Sequence, residues 1–344
     1  MRKLFYDKTT GTVEPIRHLA GTAERQKGAT HMQRSPALPR KRRTIATALR
    51  QIWPLYLFLL PAIAYILIFS YYPMYGAQIA FREYRIRTGI AGSDWVGLKH
   101  IIRFITNYQF PTLVRNTLTI SLYGLVANFV VRTVLALCLN CMRAQKYKKV
   151  IQTVTYMPHF ISTVVMVGIL IRFFNPTLGV ISRMIQALGG TDRDLMGMAD
   201  AIPHIYVWSG IWQNAGWSTI LFLATLTAVD SELHEAAIID GATRMRRIWH
   251  IDLPTLKPTM VICFIMDCGN IMNVGYEKML LMQNDLNRAT TEIISTYVYA
   301  QGIGTGSPNY SYATAIGLFN SVINFLLIVV VNQVSKRLGQ SSLW

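Results

Sequence analysis

The sequence predicts an all-α, polytopic membrane protein with about six transmembrane helices. Its 344 residues are 52% hydrophobic and 15% charged, whereas a soluble protein of this length is normally about one-quarter charged. Six segments are apolar enough to form the roughly 20 helical residues that a bilayer core requires. Basic residues cluster on alternate connections between these segments, which is the asymmetry expected of loops kept in the cytoplasm.

The predicted spans follow from the apolar runs taken in chain order. They are residues 54–72, 113–139, 150–173, 205–229, 258–276 and 313–334. Pro158 predicts a kink in the third span, because proline removes a helical hydrogen bond. The fifth span is the least regular, since Asp267 and two asparagines interrupt it.

The flanking charges give the orientation of these spans. Basic clusters lie at residues 40–43, 143–149, 244–257 and 336–337, which are alternate connections and therefore on the same side of the membrane. Positively charged loops stay in the cytoplasm, so an even number of spans places both termini there. The intervening connections would lie outside, and they are longer and more mixed in charge.

The first 50 residues are predicted to be a basic cytoplasmic arm preceding a permease domain over 51–344. The arm holds 12 of the 34 lysines and arginines of a chain whose net charge is +17. It has no apolar core, so it does not resemble a cleaved signal peptide. Because its charge directly precedes a membrane anchor, anionic lipid headgroups are a better partner for it than nucleic acid.

The connection between the fourth and fifth spans, residues 230–258, contains the main functional signal. Asp230 or Ser231 can cap a helix over 232–240, and Gly241 supplies the freedom to end it. Helical spacing then predicts a second short helix that Leu253 and Pro254 stop. A small-residue helix face with a projecting carboxylate suits insertion into a groove of a partner protein.

The same connection resembles the EAA signature of binding-protein-dependent, type I ABC importer permeases. The matching and neighbouring positions, which this resemblance makes candidates for ATPase docking, are Glu235, Ala236, Ala237, Asp240, Gly241, Ile251, Leu253 and Pro254. Further segments resemble the polysaccharide and oligosaccharide branch of these sugar permeases, including those for alginate- and pectin-derived chains. Those segments are 72–84, 95–99, 116–118, 156–162 and 311–318.

The resemblance implies a set of partners and a place in the cell. Such permeases work in the bacterial inner membrane with a second homologous permease, two ATPase subunits, an external solute-binding protein and an oligosaccharide substrate. The helix at 232–240 would be the coupling helix. This chain has no G-x-x-x-x-G-K-[ST] loop, so ATP would be hydrolysed on a separate subunit, and we expect neither enzymatic activity, a cofactor nor a metal in this one.

Polar residues inside the spans are candidates for the translocation path. Side chains of this kind cost free energy in a bilayer and usually face a cavity or a packed partner. Amides and aromatic faces bind sugars, which favours a set in the last three spans: Gln213, Asn214, Trp217, Asn270, Asn273 and Asn320. Helix packing is the alternative for each. For Asp267, a structural ion pair with Arg132 is expected.

Two other functions agree less well with the sequence than an importer does. A secondary transporter or channel for small solutes would need paired intramembrane acids or repeated halves with broken helices, and the sequence shows neither. A membrane-embedded enzyme would need clustered catalytic residues, whereas His159, His204 and Asp267 lie in different segments.

Overall fold

The computed structural model describes residues 45–190, 194–304, 306 and 308–343. Most of the predicted basic arm, residues 1–44, lies outside these described residues. The chain divides into two compact units between Ala64 and Tyr65. The described part of the first unit belongs to one helix, and the second unit contains the other elements.

The described residues are predominantly helical. The α-helices are α1 (Ile45–Ile66), α2 (Tyr72–Met74), α3 (Lys99–Ile105), α4 (Phe110–Asn140), α5 (Gln145–Tyr156), α6 (Thr163–Phe173), α7 (Val180–Ala187), α8 (Ile202–Ser218), α9 (Ile220–Thr227), α10 (Ser231–Ile239), α11 (Arg244–Arg247), α12 (Leu253–Cys268), α13 (Tyr276–Met282), α14 (Arg288–Thr291), α15 (Ile294–Tyr299) and α16 (Tyr310–Arg337). Leu67–Tyr71, Ile248–Asp252 and Ala300–Gly304 are π-helical, and Tyr75–Phe81 and Met157–Phe160 are 3₁₀-helical.

Three helical stretches of the described chain are long and apolar enough to cross a membrane. They are Tyr56–Phe81, Phe110–Asn140 and Tyr310–Arg337, which correspond to the predicted first, second and sixth spans. Large apolar side chains on them face outward, including Val126 on α4 and Phe325 on α16. Contiguous exposed apolar surface of this kind is typical of contact with a membrane or a partner.

The third predicted span is bent. Gln145–Phe160 and Thr163–Phe173 meet at 100°, and they count as a fourth candidate span when taken together. The bend follows the 3₁₀ turn that contains Pro158, so the predicted kink is confirmed. Ser162 then begins α6, because its side chain accepts a hydrogen bond from the Val165 N–H.

The fourth predicted span is interrupted, and the fifth ends earlier than the sequence pattern suggests. Thr219 separates α8 from α9, and α12 ends at Cys268 rather than near residue 276. The unwound backbone after α12 is held by α16, since Asn324 accepts a hydrogen bond from Met272 N and Asn320 donates one to Met272 O. Side chains that satisfy freed backbone groups allow irregular chain at membrane depth.

A two-stranded antiparallel hairpin departs from the predicted all-α class. β1 (Arg82–Arg85) pairs with β2 (Gly89–Trp95), and Gly89 has a φ of +65° in the turn. Lys99 Nζ lies 2.9 Å from Glu83 Oε2 and so ties β1 to the start of α3. This hydrogen bond lowers the pKa of Glu83.

Three buried clusters join the helices. The first packs α4, α6, α8 and α13 around residues such as Ile120 and Met279. The second surrounds Phe104 and Tyr312, where α3, α4, α15 and α16 meet. The third joins the end of α4 to α9 and the start of α12 around Phe222, and so supports the segment that carries α10.

Candidate functional sites

The predicted docking helix is present as α10, and its two ends are well defined. Asp230 caps it, because Oδ1 accepts a hydrogen bond from Glu232 N at 3.0 Å. At the other end Gly241 has a φ of +76°. The Gly241 and Ala242 N–H groups donate to Ile238 O and Ala237 O, at 3.0 and 2.8 Å. This is a Schellman motif, which explains why glycine is found at the turn.

The side chains of α10 are mostly exposed. Glu235, Ala236 and Asp240 are exposed and Ala237 is half-buried, while Ile239 remains 85% exposed. A nine-residue helix with this little burial gains little stability from its own chain. The geometry leaves Glu235 and the two alanines available to another protein, and their docking role stays a prediction.

The second half of the docking segment differs from the prediction. Thr243 caps α11, after which the π-helical Ile248–Asp252 runs directly into α12. Pro254 therefore does not stop a helix, and the expectation that Leu253 and Pro254 do so was wrong. Pro254 is the second residue of α12, directly after the π-helical turn, and a local π adjustment of this kind accommodates the missing N–H within a continuous helix. Ile251 and Leu253 are half-buried here.

A buried acid connects α10 to the body of the protein. Asp252 is 3% exposed, and its Oδ1 lies 3.4 Å from His234 Nε2 on α10. The same oxygen accepts a hydrogen bond from Asn140 Nδ2, at the end of α4, at 3.2 Å. Burial raises the pKa of Asp252 above its usual value, although His234 and Arg247 act in the opposite direction. The sequence did not single out this contact.

A cavity of about 370 Å³ lies between α4, α8 and the unwound segment after α12. Three of the predicted path residues line it, namely Asn214, Asn270 and Asn273. Other polar groups in the lining are Ser121, Asn128 and Asp267. A concave site with convergent amides among apolar residues can hold a small polar ligand.

The other three predicted path residues are outside this lining and contact neighbouring segments. Gln213 Nε2 donates to Ile161 O at the bend before α6, at 2.7 Å. Trp217 stacks on His159 with ring centroids 4.5 Å apart. Asn320 Nδ2 lies 3.0 Å from Asn273 Oδ1. These contacts fit the helix-packing alternative, and they position the groups around the cavity.

The expected pair between the second and fifth spans is confirmed. Arg132 Nη2 lies 2.6 Å from Asp267 Oδ2, and the guanidinium also packs over Phe129 and Phe222. Asp267 belongs to the cavity lining. The cavity is therefore lined by a carboxylate whose charge is compensated by Arg132.

Sequence reasoning missed a buried lysine beside the same cavity. Lys278 on α13 is 8% exposed, and its Nζ donates to Tyr206 O at 2.9 Å. Tyr206 lines the cavity. Residues 206 and 278 are far apart in the chain, so no local pattern indicates that they meet.

The sequence is similar to those of known transport proteins. Residues 132–340 match the family described as "binding-protein-dependent transport system inner membrane component". Protein LplB of Bacillus subtilis (strain 168) is 43% identical over 87% of this chain and 93% of its own length. The polygalacturonan/rhamnogalacturonan transport system permease protein YteP of the same organism is 40% identical over 88% and 94%.

A solved structure has the same fold. It is a chain of a bacterial alginate ABC transporter in complex with an alginate pentasaccharide-bound periplasmic protein, and it matches with a TM-score of 0.78 and 33% identity. The match covers 87% of this chain and 99% of that one. The chain described here therefore belongs to the family of binding-protein-dependent transport system inner membrane components.

Proposed function

We propose that this chain is one of two permease subunits of an ABC importer that carries oligosaccharides, acidic ones included, across the bacterial inner membrane. Its partners would be a second homologous permease, two ATPase subunits and an external solute-binding protein. The relatives support the substrate class, because one is named for polygalacturonan and rhamnogalacturonan and another for alginate.

The observation that carries the proposal is the geometry of α10. The helix is capped at Asp230, turned at Gly241 and exposed at Glu235, Ala236 and Ala237. An exposed short helix with small side chains fits a groove on another protein. We infer that α10 is the coupling helix, and that Ile251 in the π-helical turn and Leu253 and Pro254 at the start of α12 connect it to the fifth span.

The proposed topology has six spans with both termini in the cytoplasm. The fourth span would be α8 with α9, and the fifth would be α12 with the segment after it. Basic residues near α10 and at the end of α16 support a cytoplasmic position for both. Cysteines introduced at Ile239 and at Leu286, which are exposed, should then be labelled from opposite sides in a cysteine-free background.

In this proposal ATP binding and hydrolysis on the separate subunits move the coupling helices and change which side the cavity faces. ATP does so by stabilising one conformation more than the other. The cavity at Asn214, Asn270 and Asn273 would form part of the sugar path. The arm over residues 1–50 would lie outside this machinery, so deleting residues 1–31 should leave transport largely intact.

The test is reconstitution of the complex with Glu235→Lys in this subunit. The charge reversal should abolish copurification of the ATPases or uncouple ATP hydrolysis from uptake. Asp285→Lys, a reversal at a fully exposed residue in the connection between α13 and α14, should do neither. Normal assembly and coupling of the Glu235 variant would refute the docking role, and sugar uptake without any ATPase would support a secondary transporter or channel instead.

A further inference from the structure

Lys278 is buried without an acidic partner among the residues that the structure describes. Its Nζ donates to Tyr206 O at 2.9 Å and lies 4.7 Å from the centroid of the Tyr206 ring. No described carboxylate forms an ion pair with it. A backbone carbonyl and a ring face compensate poorly for the lost hydration of an ammonium group, which carries three donors.

The ammonium group lies directly behind the wall of the cavity. Tyr206 and Gly210 both line the cavity. A Cβ on Gly210 would lie 3.4 Å from Lys278 Nζ. Because glycine has no side chain, nothing bulkier than backbone is present at this point of the wall.

The charges around the cavity leave Lys278 uncompensated. Asp267 is the one carboxylate in the lining, and Arg132 holds it at 2.6 Å. That pair is neutral as a whole, and the remaining lining consists of amide, hydroxyl, glycine and apolar side chains. A single positive charge beside a partly desolvated cavity acts over several ångströms with little screening.

We propose that Lys278 is a specificity-determining residue that makes this cavity select anionic oligosaccharides, whose uronate carboxylate acts as its counter-ion. This proposal rests on the proposed oligosaccharide path and specifies that the preferred oligosaccharide is negatively charged. A carboxylate of the sugar inside the cavity would face Lys278 across the backbone of Gly210. Asn214 and Asn270 line the same cavity, where Asn214 contacts His159 and Gly210 O and Asn270 donates to Met266 O.

The experiment compares two sugars that differ in charge. The full importer is reconstituted in proteoliposomes, and uptake of an oligogalacturonate trisaccharide is measured against its neutral methyl ester. Each sugar is supplied with saturating binding protein, whose affinity for each is measured separately. Lys278→Gln should reduce the ratio of acid to ester uptake by about fivefold or more, whereas Lys278→Arg should retain most of the wild-type ratio.

Two further variants separate charge selection from a structural role. Lys336→Gln removes an exposed lysine at the end of α16 and should leave the ratio unchanged. Gly210→Ala retains the ammonium but adds a methyl group 3.4 Å from it, and should also reduce the ratio.

Each outcome decides one of the two proposals. Equal uptake of both sugars by the wild type, or an unchanged ratio in Lys278→Gln, would overturn the charge selection while the oligosaccharide path stands. A Lys278→Gln variant that loses uptake of acid and ester alike, with a lowered melting temperature, would assign Lys278 to helix packing and overturn the proposal as well. A wild type that imports neither sugar with its cognate binding protein would refute the oligosaccharide path itself.

Discussion

Arg132 Nη2 on α4 and Asp267 Oδ2 on α12 lie 2.6 Å apart and form an ion pair of unequal burial. The arginine side chain is 6% exposed and the aspartate side chain 35%. The two partners should therefore differ in what their removal costs. Losing Asp267 leaves an unpaired charge in the interior, whereas losing Arg132 leaves a carboxylate that the cavity can hydrate.

We expect Asp267→Asn to destabilise the protein by about 3–5 kcal/mol and Arg132→Met by clearly less. The double variant Arg132→Met/Asp267→Leu should recover much of the loss, because neither charge remains. The apparent melting temperatures of the purified complexes rank the stabilities of the two single variants and the double variant. Equal losses for the two single variants would contradict the argument from burial.

A second prediction concerns the turn after α10. Gly241→Ala forces a side chain into the left-handed region at a φ of +76°, at a cost of roughly 1–2 kcal/mol. Hydrogen exchange of the α10 amides should accelerate, since the Schellman contacts hold its last turn. Gly168→Ala is the matched control, because Gly168 lies within α6 with nothing within 4 Å of an added Cβ. Similar exchange of α10 in both variants would show that the turn does not support the helix.

Asp252 gives a prediction about pH. Burial raises its pKa in the folded protein above the usual value of 3.8. The ionised carboxylate therefore costs stability at neutral pH, and this cost disappears as the pH falls through the raised pKa towards the unfolded value. Asp252→Asn should accordingly be more stable than the wild type at pH 7.

The advantage of this variant should shrink as the pH falls, because the wild-type carboxyl then becomes neutral as well. Melting temperatures of both proteins between pH 7 and pH 4 provide the measurement. Asp285→Asn, at a fully exposed aspartate, should show no such trend. A variant that loses stability at pH 7 would mean that the contact with His234 outweighs the cost of burial.

The residues that sequence reasoning located correctly are those whose signal is local. An apolar run predicts α4 and α16, the proline at 158 predicts the bend, and capping residues predict both ends of α10. Pro254 shows the limit of local signals, because proline is common after the end of a helix but is also tolerated inside a helix with a local π-helical turn. The continuous helix through residues 244–268 decides between these two positions.

The cavity and its charges depend on contacts between distant segments. The ion pair of Arg132 and Asp267 could be predicted from the sequence, because charged side chains within apolar spans usually pair with an opposite charge. The contact of Lys278 could not be predicted in this way, since it is made to the backbone carbonyl of Tyr206 and every residue has such a carbonyl. The lining of the cavity likewise includes Gly210 and Gly275, which carry no side-chain chemistry for a pattern to detect.

The last prediction concerns a close approach between α5 and α8 at Gly216. A Cβ on Gly216 would lie 2.2 Å from Thr155 O and 2.5 Å from Thr155 C, and these are backbone atoms that no rotamer change can move. Gly216→Ala must therefore push α8 away from α5, which disturbs the Gln213 contact at the bend.

We expect a loss of about 3 kcal/mol or more for this change, at the upper end of overpacking effects. Gly124→Ala makes the same chemical change on α4, where the added Cβ would lie 3.8 Å from Val207 Cγ2 in ordinary contact. That variant should assemble normally and melt near the wild-type temperature, because a methyl group there fills space without displacing backbone. Comparing the yield and melting temperature of the two complexes tests the packing directly, and a Gly216→Ala complex as stable as the wild type would contradict so close a backbone contact between α5 and α8.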